Sequence, residues 1–202
     1  MTEAKTVGVI PIRIEGDPIL REVCQKIEGT PDLKPLLKQM HTTLNETKIG
    51  VGLAAPQIGR PIRLFITGGK SSDNTAKRDF INPEIVKTKG AFRKDYEACL
   101  SVPGVNARVG RHQKIRVKYY DADFKEHEQW FTGYYARIIQ HEIDHLDGKE
   151  FYDNLTPIEL GTGQFRIEML RQGNIPKLPY EVYKKAVNLE KEKTNDKEIQ
   201  NT

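Results

Sequence analysis

The sequence predicts an α+β domain in which helices and antiparallel strands occupy separate stretches. Three observations predict it. Residues 30–46 carry one apolar stripe of helical period, and residues 134–148 form a second helix-compatible stretch with no Pro inside it. Runs rich in β-branched and aromatic residues stand at 62–67 and 80–86. Two further runs, 115–120 and 126–132, alternate around a turn and read as an antiparallel hairpin.

The chain has 202 residues, a length that favours one domain, and 37% hydrophobic residues are enough to build a core. The net charge of +4 arises from Lys and Arg interleaved with Asp and Glu. Nucleic-acid binders concentrate their basic residues in a patch, so no specific DNA binding is expected. No apolar run reaches the length of a membrane span. The opening residues Met-Thr-Glu-Ala-Lys-Thr-Val-Gly lack the apolar core of a signal peptide, so a soluble cytoplasmic protein is expected. Cys24 and Cys99 are too few for a disulfide scaffold. A single pair stays open, and a free thiol kept for metal binding fits a reducing compartment better.

Taken in order, residues 7–14 alternate weakly, and Pro11 restricts them to an edge strand. Gly16-Asp17-Pro18 is a turn. In the helix at 30–46, Leu33, Leu36, Leu37, Met40 and Leu44 share one face. Thr30-Pro31 offers an N-cap and first position, whereas Pro35 fits better if the regular helix starts near 34. His41 is expected exposed or capped, and His112 and His127 on the surface. Residues 50–59, Gly-Val-Gly-Leu-Ala-Ala-Pro-Gln-Ile-Gly, are dominated by small residues and do not read as a helix. They form either a tight connector or a loop pressed against a peptide-like ligand, with Gln57 presenting an amide donor to a reacting carbonyl. A phosphate-cradling loop is disfavoured, because the third Gly and the Lys-Ser/Thr pair are missing. The strand at 80–86 carries Pro83, which marks an edge or a bulge. Leu155-Thr156-Pro157 reads as the exit from the core. Residues 180–193 have helical spacing, and residues 190–202 are charged and polar and are expected to fray.

The chemistry concentrates at His141-Glu142-Ile143-Asp144-His145, an H-E-x-x-H pattern bracketed by Gly133 and Gly148. On a helix, His141 and His145 lie one turn apart on one face, where two imidazoles can grip one metal. Glu142 can then reach water at that metal as a general base. Such a pair also occurs as ordinary structural histidines, so a third ligand is required. Cys99 alone reads as a buried small hydrophobe. Beside a two-His helix it completes a Cys-His-His set that leaves one position for water, the layout of a catalytic site. H-E-x-x-H also permits another metallohydrolase, such as a peptidase.

Three motifs coincide: Gly50-Val-Gly-Leu-Ala-Ala-Pro-Gln57, Glu97-Ala-Cys-Leu-Ser101 and His141-Glu-Ile-Asp-His145. In order, spacing and content they resemble the peptide deformylase family, over roughly residues 10–156. Gly16-Asp-Pro-Ile-Leu-Arg21, Ile81-Asn-Pro-Glu84 and Gln140 extend the likeness. The resemblance implies antiparallel sheets wrapped around a central metal-bearing helix, and removal of the formyl group from the N-terminal methionine of nascent chains. It implies Cys99, His141 and His145 as metal ligands and Glu142 as general acid and base. Gln57 and the Leu100 N–H would hold the oxyanion. Val51 and Gly52 would pair with the substrate backbone, and Glu97, Tyr134, Arg137 and Ile138 would surround the methionine pocket. One Fe2+ per chain is the implied metal, with Zn2+, Ni2+ or Co2+ as replacements. The implied partners are formylmethionyl nascent peptides and the ribosome near its exit tunnel, for a monomeric protein. The catalytic unit would span residues 1–156, with residues 157–202 as a partly helical extension.

One position departs from the family pattern: Ala98 stands where the second motif carries Gly. Either the backbone there needs positive φ, at a cost of about 1 kcal/mol, or the methyl narrows the substrate groove. The alternative reading is a deformylase-like paralogue of weak or altered activity that binds nascent chains or the ribosome.

Overall fold

The computed structural model describes residues 8–68 and 77–174. Its backbone is one five-stranded antiparallel sheet in sequence order, where several sheets were expected: β1 (Gly52–Ala54), β2 (Leu64–Thr67), β3 (Arg78–Ala98), β4 (Asn106–Tyr120) and β5 (Glu126–Thr132). One sheet suffices because β3 is 21 residues long and irregular. Its register against β4 shifts between Ile81 and Glu84, between Ile85 and Lys87, and between Lys89 and Phe92. The first shift falls at Pro83, which has no N–H to give a ladder. Pro83 therefore marks a bulge in an inner strand rather than an edge. Asn82 takes φ 49° there, a conformation Asn tolerates. Its side chain exchanges two 2.9 Å hydrogen bonds with the Ile27 backbone, tying the N-terminal segment to the sheet.

Helix α1 (Lys34–Thr47) begins where Pro35 occupies the first turn and buries Leu37, Met40 and Leu44. Helix α2 (Gly133–Leu146) has two faces. Ala136, Ile139, Ile143 and Leu146 pack against Phe65, Phe80, Ile115, Val117 and Phe131 of the sheet. The opposite stripe of Ile138, His141, Glu142 and His145 is left for the site. The helix stops at Gly148, whose φ is +68° and whose missing β-carbon would overlap the Arg21 carbonyl.

Several expectations are corrected. Residues 8–14 form no strand; instead the Arg13 N–H donates to the Gln57 carbonyl (2.7 Å), and the Glu15 N–H to that of Ser101 (2.8 Å). His41 is buried, with Nε2 2.7 Å from Asp79 Oδ1. His112 and His127 are half-buried. Residues 55–58 make one turn of 3-10 helix directly after β1. The chain does not leave the core at Pro157. Two short helices follow, α3 (Pro157–Leu160) and α4 (Gly163–Arg171). Ile167 and Leu170 of α4 pack with Cys99, Val102 and Phe151. The helix expected at 180–193 lies outside the described residues. Cys24 and Cys99 are both free and buried, and among the described residues no helix is long and apolar enough to cross a membrane.

Candidate metal centre and active site

The end of β3 delivers Cys99 to the polar face of α2. The ligand atoms of Cys99, His141 and His145 all lie within 4.8 Å of one another, and Cys99 Sγ is 3.2 Å from His145 Nε2. That spacing suits a small divalent cation with bonds of about 2.0–2.3 Å. The protonation chemistry fits too. Burial holds His145 well below the usual imidazole pKa, so it stays neutral as a ligand must. Burial, then the Glu150 carboxyl, push the Cys99 thiol well up. A cation at the centre reverses that shift, because a coordinating thiol is deprotonated.

Glu97 lies behind His141. Its carboxylate accepts from His141 Nδ1 (3.0 Å), from Arg111 Nε and Nη2 (3.0 Å each) and from Arg137 Nη1 (2.7 Å). Burial alone raises its pKa, but the bonds from His141 and Arg111 outweigh it and hold Glu97 down at about 2. With Nδ1 committed to Glu97, His141 offers Nε2 to a metal. Arg111 also pairs with Asp144 inside the H-E-x-x-H stretch, and Arg137 donates to the Val109 and Arg93 carbonyls. Glu97 was expected at a substrate pocket; it lines the cavity and also pairs with His141.

Glu142 is buried with Oε2 unpartnered among the described residues, and burial raises its pKa to about 7. Gly52 makes room for it, since a β-carbon at Gly52 would overlap the carboxylate. Gln57 is fixed from behind. Its Oε1 accepts from the Ala54 N–H (2.8 Å), which aims Nε2 at Ser101 Oγ (3.1 Å) and Cys99 Sγ (3.4 Å).

These groups open onto a cavity of about 950 Å3, large enough for a peptide end. Gln57, Cys99, Leu100, His141 and Glu142 line it, and so do Val51, Gly52, Glu97, Ala98, Tyr134, Arg137 and Ile138. Ala98 belongs to β3 and is not among the residues of positive φ, so its backbone is unstrained. Its methyl is exposed on the cavity wall. Sequence reasoning missed Arg111, whose partners sit 14 and 33 positions away, and Arg166 of α4 at the rim. It also missed Glu150, buried beside His145. An acid two positions past the Gly148 stop was the one signal in the sequence.

Comparison with known proteins places these features in one group. Residues 9–160 match the family described as polypeptide deformylase. A peptide deformylase of Cytophaga hutchinsonii is 41% identical over 156 residues, covering 75% of this chain and 84% of that protein. One from Chlorobium limicola is 39% identical, covering 82% and 90%. Among solved structures, a peptide deformylase from Legionella pneumophila superposes with a TM-score of 0.74 at 34% identity, covering 84% of this chain and all of that one. That of Thermus thermophilus superposes at 0.74 with 35% identity, covering 83% and 100%. The chain belongs to the polypeptide deformylase family.

Proposed function

We propose that Cys99, His141 and His145 hold one divalent metal, Fe2+ in the cell, in a peptide deformylase that hydrolyses the N-formyl group of nascent polypeptides. The family membership carries the activity. The convergence of one thiol and two imidazoles within 4.8 Å beside a buried carboxyl supports the assignment of roles. The metal, when bound, provides a nucleophile at neutral pH by lowering the pKa of water towards about 7, and it polarises the formyl oxygen.

The chain's own groups do the rest. Glu142 takes the proton of the attacking water and passes it to the leaving amine nitrogen, tasks open to a buried carboxyl on the cavity wall beside His141. Gln57 Nε2 and the Leu100 N–H donate to the formyl oxygen as charge develops on it. The substrate backbone lies along Val51 and Gly52, at the start of β1, which is an end strand of the sheet among the described residues, and adds to it as a further strand. Ala98, Tyr134, Arg137 and Ile138 enclose the methionine side chain together with Glu97. Action on nascent chains implies a cytoplasmic place near the ribosomal exit, and the protein works as a monomer. The non-catalytic paralogue is not favoured, because every reacting group is present and Ala98 fits its strand without strain.

The test is formate release from formyl-Met-Ala-Ser by anaerobically purified protein loaded with Fe2+ or Ni2+, beside an Ala98→Gly variant. Release by the parent is expected. Silence from the parent with rescue by Ala98→Gly would put the defect in the groove, and silence from both with metal bound would overturn the catalytic assignment.

A further inference from the structure

His141 has Glu97 behind it, and His145 has a carboxyl behind it too. Glu150 Oε1 lies 3.6 Å from His145 Nδ1, and both groups are almost wholly buried. Neither Glu150 oxygen has a hydrogen-bond partner among the described residues, and His145 Nδ1 has none either. An orphaned buried carboxyl is costly, on the order of 1–3 kcal/mol, and folds retain such groups for a reason. The local frame holds Glu150 in place. Its backbone N–H donates to Asp153 Oδ2 (2.9 Å), and Arg21 grips the Asp153 carboxylate at 2.9 and 2.7 Å.

We propose that Glu150 is a positioning residue for the metal: it accepts a hydrogen bond from His145 Nδ1–H and so keeps the Nε2 lone pair of His145 facing Cys99. The separation is a few tenths of an ångström longer than a hydrogen bond, so the bond requires a small turn of the carboxyl towards Nδ1. An oxygen of Glu150 can accept whether the carboxyl is charged or neutral, so this role needs no particular protonation state. The two imidazoles are thereby oriented from separate parts of the chain, His141 by the end of β3 and His145 by the segment after Gly148. Carboxyl partners of this kind, when removed, weaken metal binding by about 10–100-fold.

The inference rests on Cys99, His141 and His145 being the ligands, and the test separates the two. Apo protein is titrated with Co2+, following the thiolate-to-cobalt charge-transfer band, for the parent, Glu150→Leu and Glu150→Gln. No such band in the parent overturns the ligand set, and this inference with it. With the band present, Glu150→Leu is expected to bind Co2+ about 10–100-fold more weakly, while its apo melting temperature stays level or rises, because an orphaned polar group has gone. Glu150→Gln keeps an accepting oxygen and is expected to bind more tightly than the Leu variant. Equal Co2+ affinity in parent and Glu150→Leu overturns the proposal. If the Leu variant fails to fold, NMR of the Zn2+-loaded parent decides. A slowly exchanging His145 Nδ1 proton whose shift moves in Glu150→Gln supports the bond, and a rapidly exchanging proton overturns it.

Discussion

Gly52 and Glu142 are pressed together so closely that any β-carbon at residue 52 would meet Oε1, Cδ and Cγ of Glu142, and one of the two would have to shift. The first strand of the sheet and helix α2 thus constrain each other. Gly52→Ala must displace either the strand that would receive the substrate or the carboxyl that would move the proton. A shift of about 1 Å at a reacting group costs on the order of 10²-fold in rate. Formate release by Gly52→Ala should fall by about that factor with metal content unchanged. Activity within threefold of the parent would show that the helix yields without cost.

Glu142 should show opposite effects on activity and stability. Glu142→Gln is expected to keep its metal and lose about 10²–10⁴-fold in turnover. Burial raises the folded-state pKa to about 7 from an ordinary 4.5. The apo folded state therefore binds this proton more tightly than the unfolded chain. The stability it brings is complete below about pH 4.5 and is lost as pH rises through about 7. Above that pH the apo Glu142→Gln variant should melt higher than the apo parent, at roughly 2–4 °C per kcal/mol for a domain of this size. Equal melting temperatures at about pH 8 would contradict a buried, raised carboxyl.

Glu97 should behave the other way. Its folded pKa of about 2 lies below the ordinary 4.5, so its contribution is complete above about pH 4.5 and is lost as pH falls towards 2. At about 1.4 kcal/mol per tenfold, the shift corresponds to about 3 kcal/mol. Glu97→Gln, which also takes a carboxylate away from Arg111 and Arg137, should cost about 3–5 kcal/mol at neutral pH. Denaturant curves at several pH values should show the gap from the parent closing in acid. A gap that is constant with pH would remove the charge from the explanation.

Cys99→Ala deletes the thiolate and should lower metal affinity at least tenfold, with the apo protein still folded around a small core vacancy. Metal analysis after dialysis reads this directly. A full equivalent of metal in the variant would strike Cys99 from the ligand set.

Gln57→Ala removes a donor held in place by the Ala54 N–H. The expected loss is about 10²–10³ in kcat, with KM changed little, since the donor is used mainly as charge develops. A change confined to KM would make Gln57 a substrate-binding group instead.

Much of the site was legible because its signals are local. Two histidines four positions apart need only a helix to share a face, and Gly133 and Gly148 bracketed that helix where α2 is found. Pro83 announced an edge or a bulge through its missing N–H. The surroundings of the ligands were hidden for the opposite reason. The bonds from Glu97 to Arg111, Arg137 and His141 span 14, 40 and 44 positions, and which residues face each other over such distances depends on the β3–β4 register. That register in turn depends on three shifts, of which only the one at Pro83 was marked in the sequence. His41 reads as an exposed helix residue until β3 brings Asp79 to it, and α4 reads as tail until Ile167 and Leu170 reach the cluster around Cys99.

By itself the sequence determined the α+β class, the helix that carries His141, Glu142 and His145, and the candidate donors, since these follow from periodicity, spacing and side-chain chemistry. Tertiary structure alone decided that Cys99 comes within 3.2 Å of His145, that Gly52 gives way to Glu142, and that Ala98 sits in an unstrained strand. It also decided that each histidine has a carboxyl behind it. The physical reason is that burial and close approach are properties of pairs brought together by folding. They set both the pKa values and the room at the site, and no single stretch of chain contains them.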